Sequence, residues 1–114
     1  MDIDRAIPCG LIVNELVTNS LKYAFPEGTT NPRKEVTVQL TTQANQHILE
    51  VQDNGVGLPT GLDVEKSSSL GLRLVSMLTR QLKGQLTIDT APGQGVKFTV
   101  NFPVAITEDP NEKP

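Results

Sequence analysis

The sequence predicts a two-layer α/β sandwich, with a mixed and mostly antiparallel sheet that is covered by helices on one face. Apolar residues recur at helical spacing in two stretches and alternate with polar residues in four shorter ones. Such alternation is typical of a sheet with one buried and one solvated face. A chain of 114 residues is long enough for one domain with a single hydrophobic core.

The composition excludes several classes of protein. Hydrophobic residues make up 37% and charged residues 20% of the chain, as in a globular domain. No apolar run approaches the ~20 residues that a membrane helix needs. A net charge of -3 argues against nucleic acid as a partner. The single cysteine, Cys9, and the lack of an opening secretion signal favour a cytoplasmic domain, in which Cys9 is a core residue without chemistry.

The first helical stretch runs from about Ile3 to Phe25. Pro8 suits the first turn of a helix, so residues 1–7 are predicted to be a lead-in to it. The segment FPEGTTNPRKE, with two prolines and a glycine, ends the helix. One stripe of the helix should face the core, and it consists of Cys9, Val13, Leu16, Val17, Ser20 and Ala24.

The remaining elements are two hairpins and a second helix. The strands EVTVQLTT and HILEVQD flank the turn QAN, and the strands QLTIDT and VKFTVNF flank APGQG. Between the hairpins lies the helix LGLRLVSMLTRQLKG, which Gly84 ends and whose Arg80 and Lys83 suit the helix dipole. The domain is therefore predicted to cover residues 1–106, and residues 107–114 to form a disordered tail.

Three polar residues stand among the aliphatic residues of the first helix. Glu15, Asn19 and Lys22 are spaced i, i+4 and i+7 and so share one face. A solvated helix face explains this pattern and contributes only about a few tenths of a kcal/mol. Asn19, however, borders the apolar stripe, which puts a polar group where the core meets an opening.

Asp53 ends a strand on the same alternation as Leu49 and Val51, so its carboxylate should point toward the core layer. A buried carboxylate needs a donor, for which a ligand amine is one candidate. Gly55 and Gly57 would then let the backbone turn sharply and approach a ligand. An Asx-type turn at the end of the strand explains the same residues without a ligand.

The segment SSSLGLRLV places small residues directly before the second helix. The first free N–H groups and the positive dipole end of such a helix bind anions such as phosphate. A serine N-cap explains the same serines without any ligand.

Four motifs in this order resemble those of one family. NELVTNSLKYAFP, DNGVGLP, SLGLRLVSML and GQGVKFTVNFP are similar to the N, first-glycine, second-glycine and closing motifs of the ATP-binding catalytic domain of sensor histidine kinases. DNA gyrase, the MutL repair ATPases and the ninety-kilodalton heat-shock chaperones share that fold. The resemblance spans Leu11 to Pro103 and implies the histidine-kinase subgroup with an N-E-L-x-x-N-x-x-K-[HY]-A-F-P motif.

The resemblance implies a role for particular residues in binding ATP and Mg²⁺. Asp53 would accept a hydrogen bond from the adenine amine, beside a turn formed by Gly55 and Gly57, and Tyr23 would line the cleft. Glu15 would act as a general base or position the nucleophile near the transferred phosphoryl group. The phosphate end would use Asn19 as the Mg²⁺ ligand, Lys22 as a positive charge, and Ser69, Gly71 and Leu72 at the start of the second helix.

The sequence departs from the family pattern in several places. Val96 stands where many members have Thr, so base recognition should depend more on Asp53. Residues 58–70 are expected to be a short, mobile lid without the Phe-containing motif of classical sensor kinases. The phosphate-accepting histidine lies on another domain of such kinases, and His47 is expected to be an exposed strand residue rather than an acceptor. A first strand before the helix is also missing, so the chain is expected to be a fragment.

The function implied is transfer of the ATP γ-phosphoryl group to a histidine on a dimerisation domain of the same full-length protein, with a response regulator downstream. The domain is expected to be cytoplasmic and to contact neither nucleic acid nor a membrane, whether or not the parent protein is membrane-anchored. An anti-sigma-factor-type serine kinase shares these motifs, and a non-catalytic interaction module would share the fold. A gyrase- or chaperone-type ATPase is disfavoured because those domains carry longer insertions.

Overall fold

The computed structural model describes residues 1–25, 34–57, 70–90 and 93–104. Their elements are α1 (Ile3–Asn19), a π-helical turn (Ser20–Ala24), β1 (Val36–Gln43), β2 (Gln46–Asp53), α2 (Leu70–Gln81), β3 (Gln85–Thr90) and β4 (Val96–Pro103). Every predicted strand lies within about one residue of its expected bounds. The expected lid, apart from the start of α2 at Leu70, and the expected tail lie outside the described residues.

The sheet has the order β1-β2-β4-β3, and each of its pairings is antiparallel. Two hairpins therefore form it, and the β2–β4 ladder joins them. Asp53, at the end of β2, pairs with Val36 on one side and with Val96 on the other. The Asp53 side chain points toward the core, as the alternation of β2 predicts. This register places Val96, at the start of β4, directly beside it.

The core lies between the sheet and the two helices, which confirms the two-layer α/β architecture. The buried cluster takes residues from α1, α2, β2 and β4, and it consists of Cys9, Ile12, Leu16, Leu49, Val51, Leu72, Val75, Leu78, Leu82, Val96, Phe98, Val100 and Phe102. Cys9 is buried as expected, and burial raises the pKa of its thiol. None of the helices in the described part of the chain is long and apolar enough to cross a membrane.

The start of α1 differs from the prediction. The helix begins at Ile3 rather than at Pro8, because Asp2 caps it: its Oδ1 accepts a hydrogen bond from the Arg5 N–H at 3.1 Å. Pro8 consequently lies inside the helix, where its ring is buried. The expected lead-in is helical, since the Asp2 cap and the buried apolar ring of Pro8 offset the hydrogen bond that a proline cannot donate.

His47 also differs from the prediction, because it is buried rather than exposed. Only 8% of its surface is accessible, and its ring lies 5.2 Å from that of Phe102, with which it pairs across the sheet. The Nδ1 atom lies 2.9 Å from Thr42 Oγ1. His47 shares the alternation of Leu49 and Val51, and that parity determines its position more strongly than its polar character does.

The end of α2 shows which residue stops the helix. Lys83, not Gly84, adopts the left-handed conformation, with φ 60°. The Gly84 N–H donates to the Thr79 carbonyl at 3.0 Å, and the Lys83 N–H donates to the Arg80 carbonyl at 3.0 Å, as in a Schellman motif. Gly84 is needed for another reason: a Cβ there would lie 2.4 Å from the Asn101 carbonyl oxygen.

The edge strand β1 is less covered than its alternation suggested. Val38 and Leu40 face the helical layer but keep 45% and 49% of their surface exposed. Among the strands, α1 contacts β2 and α2 contacts β3, and the buried cluster takes its strand residues from β2 and β4. Asp53 therefore lies on a strand that the helical layer covers.

Candidate functional site

Asp53 is the most tightly held polar side chain of the inner face. It is 4% exposed, and both of its carboxylate oxygens accept hydrogen bonds. Oδ1 accepts from the Gly55 N–H at 2.9 Å and from the Val96 N–H at 3.3 Å, whereas Oδ2 accepts from the Ser20 hydroxyl at 3.0 Å. These donors compensate for the cost of burying the carboxylate. They also fix its rotamer before any ligand arrives.

The π-helical turn at the end of α1 positions the donor on the helical side. The Ser20 N–H donates to the Leu16 carbonyl, the α-helical partner, and to the Val17 carbonyl, and the π-helical turn begins at this residue. Turns of this kind are frequent at functional sites because they reorient successive side chains. Ser20 is buried against Asp53, and the preceding residue, Asn19, reaches the start of α2.

The loop after Asp53 packs against the same turn. A Cβ at Gly55 would lie 2.2 Å from the Ala24 carbonyl oxygen, which accepts a hydrogen bond from the Val56 N–H at 2.9 Å. Gly57 has φ 83°, a conformation that favours glycine. The expected sharp turn is present, and the space left by Gly55 is taken up by the protein's own backbone.

Glu15 and Asn19 meet α2 at its first turn. A Cβ placed on Gly71 would lie 2.6 Å from Glu15 Oε2 and 3.4 Å from Asn19 Nδ2. The Nδ2 atom is buried and has no hydrogen-bond partner within the described residues. Buried polar groups are normally satisfied, so an unpaired amide beside a helix N-terminus is a position for a ligand or a water.

The other predicted site residues are Lys22, Leu72, Ser69 and Tyr23. Lys22 is exposed on the π-helical turn, three residues beyond Asn19. The side chain of Leu72 belongs to the core and does not line the site. Ser69 and the side chain of Tyr23 lie outside the described part of the structure.

Two residues of the site were not predicted to have a role in it. Ser20 was expected only as part of the apolar stripe, although a hydroxyl within that stripe is itself a signal that a buried polar partner exists. Val96 was considered for its side chain, whereas its backbone N–H is the group that contacts Asp53. The β2–β4 register that produces this contact has no local sequence signal.

The site would need a ligand's own oxygens to hold a metal. No group of three or more His, Cys, Asp or Glu side chains in the described residues is arranged to bind an ion. Asn19 and Glu15 offer amide and carboxylate oxygens, which suit Mg²⁺, an ion that often takes one or two protein ligands together with phosphates and waters. The residues present therefore fit a metal that arrives with a phosphorylated ligand.

Comparisons with known proteins agree with this geometry. The sequence profile described as "Histidine kinase-, DNA gyrase B-, and HSP90-like ATPase" matches residues 5–106. A sensor histidine kinase, PdtaS, from Mycolicibacterium smegmatis is 33% identical over 105 residues, which are 91% of this chain and 21% of that protein. The sensor histidine kinase ComP from Bacillus subtilis is 29% identical over 102 residues, or 90% of this chain and 12% of ComP.

A solved structure is similar over most of the chain. The histidine kinase domain of a blue-light activated histidine kinase from Erythrobacter litoralis superposes with a TM-score of 0.81 and 27% identity, covering 91% of this chain and 50% of that one. The chain spans about a fifth of the length of the mycobacterial relative. The expected histidine-kinase-type ATP-binding fold is thus confirmed.

Proposed function

Because the chain belongs to the family of histidine kinase-, DNA gyrase B- and HSP90-like ATPases, we propose that it is the ATP-binding catalytic domain of a two-component sensor histidine kinase. Its reaction is transfer of the γ-phosphoryl group of ATP to a histidine on a separate dimerisation domain. The bond from the γ-phosphorus to the bridging oxygen breaks, ADP leaves, a phosphorus–nitrogen bond forms, and the histidine nitrogen loses its proton. A response regulator in the cytoplasm would then receive the phosphoryl group.

The observation that carries this proposal is the pair of neighbouring residues at the end of α1. Ser20 contacts the buried carboxylate of Asp53, and Asn19 presents a buried, unpaired amide nitrogen, Nδ2, beside Gly71. Two neighbouring residues therefore serve two sites: Ser20 contacts Asp53, the proposed acceptor for a base amine, and Asn19 offers a polar group for phosphates. That arrangement suits an elongated ligand with an amine and an anionic tail.

Each residue has a role that its chemistry supports. Asp53, an acceptor with fixed geometry, binds the exocyclic amine of adenine. Asn19 supplies an amide oxygen to Mg²⁺, whose charge neutralises the phosphates. The backbone N–H groups at the start of α2, from Gly71 onward, face the phosphate tail, and Lys22 adds a positive charge. Glu15, beside Gly71, positions or deprotonates the attacking group.

The first test is a calorimetric titration of the chain with ATP, in the presence and absence of Mg²⁺. Binding that Mg²⁺ strengthens is the expected result. No binding by a chain that unfolds cooperatively on heating would contradict the proposal and favour a non-catalytic interaction module.

The second test identifies the acceptor. The dimerisation domain of the full-length protein is added with γ-labelled ATP, and the labelled product is treated with acid and with alkali. A phosphorylated histidine is acid-labile, so the label should be lost in acid and kept in alkali. An acid-stable label on a serine of a partner protein would instead point to a serine kinase of the same fold.

A further inference from the structure

The hydrogen bonds of Asp53 are distributed unequally between its two oxygens. Oδ1 accepts from two backbone N–H groups, those of Gly55 and Val96, whereas Oδ2 accepts within the described residues only from the Ser20 hydroxyl. A carboxylate oxygen has about two lone-pair directions. Oδ1 is therefore filled, and Oδ2 is the atom with room for one more donor.

Ser20 contacts the oxygen that has this room. Its side chain is 5% exposed, so water competes little for its hydroxyl. A serine hydroxyl has one hydrogen and two lone pairs. After it donates to Asp53, Ser20 Oγ still has acceptor capacity at the same place, for an amine hydrogen or for a bridging water.

Among the described residues, the strand side of the carboxylate supplies no hydroxyl. Val96 places a backbone N–H beside Oδ1, and its own side chain is apolar and buried. Within the described residues, the hydroxyl that contacts the Asp53 carboxylate is therefore that of Ser20, on the π-helical turn. Ser20 is the first residue of that turn.

We propose that Ser20 is a specificity-determining residue for the nucleotide base: it directs Asp53 Oδ2 toward the exocyclic amine and offers its own oxygen as a second acceptor beside that amine. This inference rests on the proposed function, since it assigns a residue to the base end of the ATP site. It predicts that Ser20 contributes to binding only for nucleotides that carry the amine.

The test compares two nucleotides that differ only in that amine, ADP and purine riboside diphosphate, by titration calorimetry on the complete chain. Wild type should prefer ADP. Ser20→Ala should lower ADP affinity about tenfold, the cost of one hydrogen bond to a charged group, and leave the analogue's affinity unchanged. The ratio of the two affinities should therefore shrink by the same factor.

Three further variants separate the hydroxyl from packing. Ser20→Thr keeps the hydroxyl and should keep the preference for ADP. Ser20→Cys fills nearly the same space with a weak donor and should behave like Ser20→Ala, so it carries the test if the alanine variant does not fold. Ser76→Ala removes another buried serine hydroxyl, on α2, and should change neither affinity.

The outcomes distinguish this inference from the proposed function. Wild-type affinity in Ser20→Ala, or an equal loss for both nucleotides, would overturn the inference and leave the proposed function standing. Loss of the ADP preference in Ser20→Thr would overturn it as well. A folded wild-type chain that binds neither nucleotide would overturn both.

Discussion

The two ends of the site differ in how completely their polar groups are satisfied. At the proposed base end, Asp53 is buried and accepts three hydrogen bonds from its surroundings. At the proposed phosphate end, the Asn19 Nδ2 atom is buried without a described partner, Glu15 lies against Gly71, and Lys22 is exposed. The two ends are only one residue apart along the chain, at Asn19 and Ser20.

This difference has a physical cause. A fixed acceptor for a neutral base requires a single geometry, which the protein can build from its own backbone. Phosphates and their metal bring charge and oxygen atoms of their own, so the protein needs only to leave donors and oxygens for them. We therefore expect base recognition to be preorganised and the phosphate end to become ordered when the ligand binds.

The largest effect is expected from Asp53→Asn. The amide has one oxygen for the two backbone donors, so its NH₂ group would stand where Oδ2 stands and oppose the adenine amine. ADP affinity should fall about 100-fold or more, measured by calorimetry. Asp89→Asn, on the exposed face of β3, is the matched control and should bind ADP as wild type does. Unchanged affinity in Asp53→Asn would refute the adenine assignment.

A smaller and metal-dependent effect is expected from Asn19→Ala. Removing the amide would take away the proposed Mg²⁺ ligand and the unpaired Nδ2 donor beside Gly71. The affinity for ATP should fall about tenfold with Mg²⁺ and less without it, because the metal contact is lost only in the first case. Equal losses under the two conditions would count against the metal-ligand role.

Gly71→Ala should weaken the phosphate end through Glu15. The added Cβ would lie 2.6 Å from Glu15 Oε2, the far end of a flexible side chain, so Glu15 would move rather than the backbone. ATP affinity should fall about threefold to tenfold, whereas adenosine, which lacks phosphates, should bind unchanged. Similar losses for ATP and adenosine would show that the substitution disturbs the whole fold instead.

Gly10→Ala is the matched glycine substitution and should have the smallest effect. Gly10 lies within α1, and a Cβ there would meet nothing within 4 Å. Alanine should raise the free energy of unfolding by about 0.5–1 kcal/mol, because glycine is the poorer helix former. Thermal unfolding should show a higher midpoint, with ATP affinity unchanged. A lower midpoint would mean that α1 contacts something at this position.

Much of the fold could be predicted because its signals are local. Alternation located the four strands and turned Asp53 inward, and helical spacing placed Ser20 on the buried side of the first helix. The same alternation places His47 on the buried face with Leu49, and its polarity is the misleading signal. The start of α1 was wrong because a proline signal was preferred to the cap at Asp2.

The remaining features depend on contacts between distant residues. The π-helical turn shifts hydrogen bonds by one residue without changing the apolar pattern, so periodicity does not reveal it. The partner of Asp53 on β4 depends on the β2–β4 register, which pairs Asp53 with Val96, 43 positions further along the chain. The roles proposed for Glu15, Lys22 and the start of α2 stay predictions, because they concern a ligand's position.

The contact between Asp53 and the Val96 N–H also closes a loop in the chain. Residues 53 and 96 are 43 positions apart, and α2 lies between them. Closing a loop of this length has an entropic cost that the last pair of the β2–β4 ladder must help to offset. A nucleotide held by Asp53 would stabilise the closed loop, so hydrogen–deuterium exchange at the Val96 amide should slow as nucleotide concentration rises. One backbone amide would then report both ligand occupancy and the integrity of the sheet.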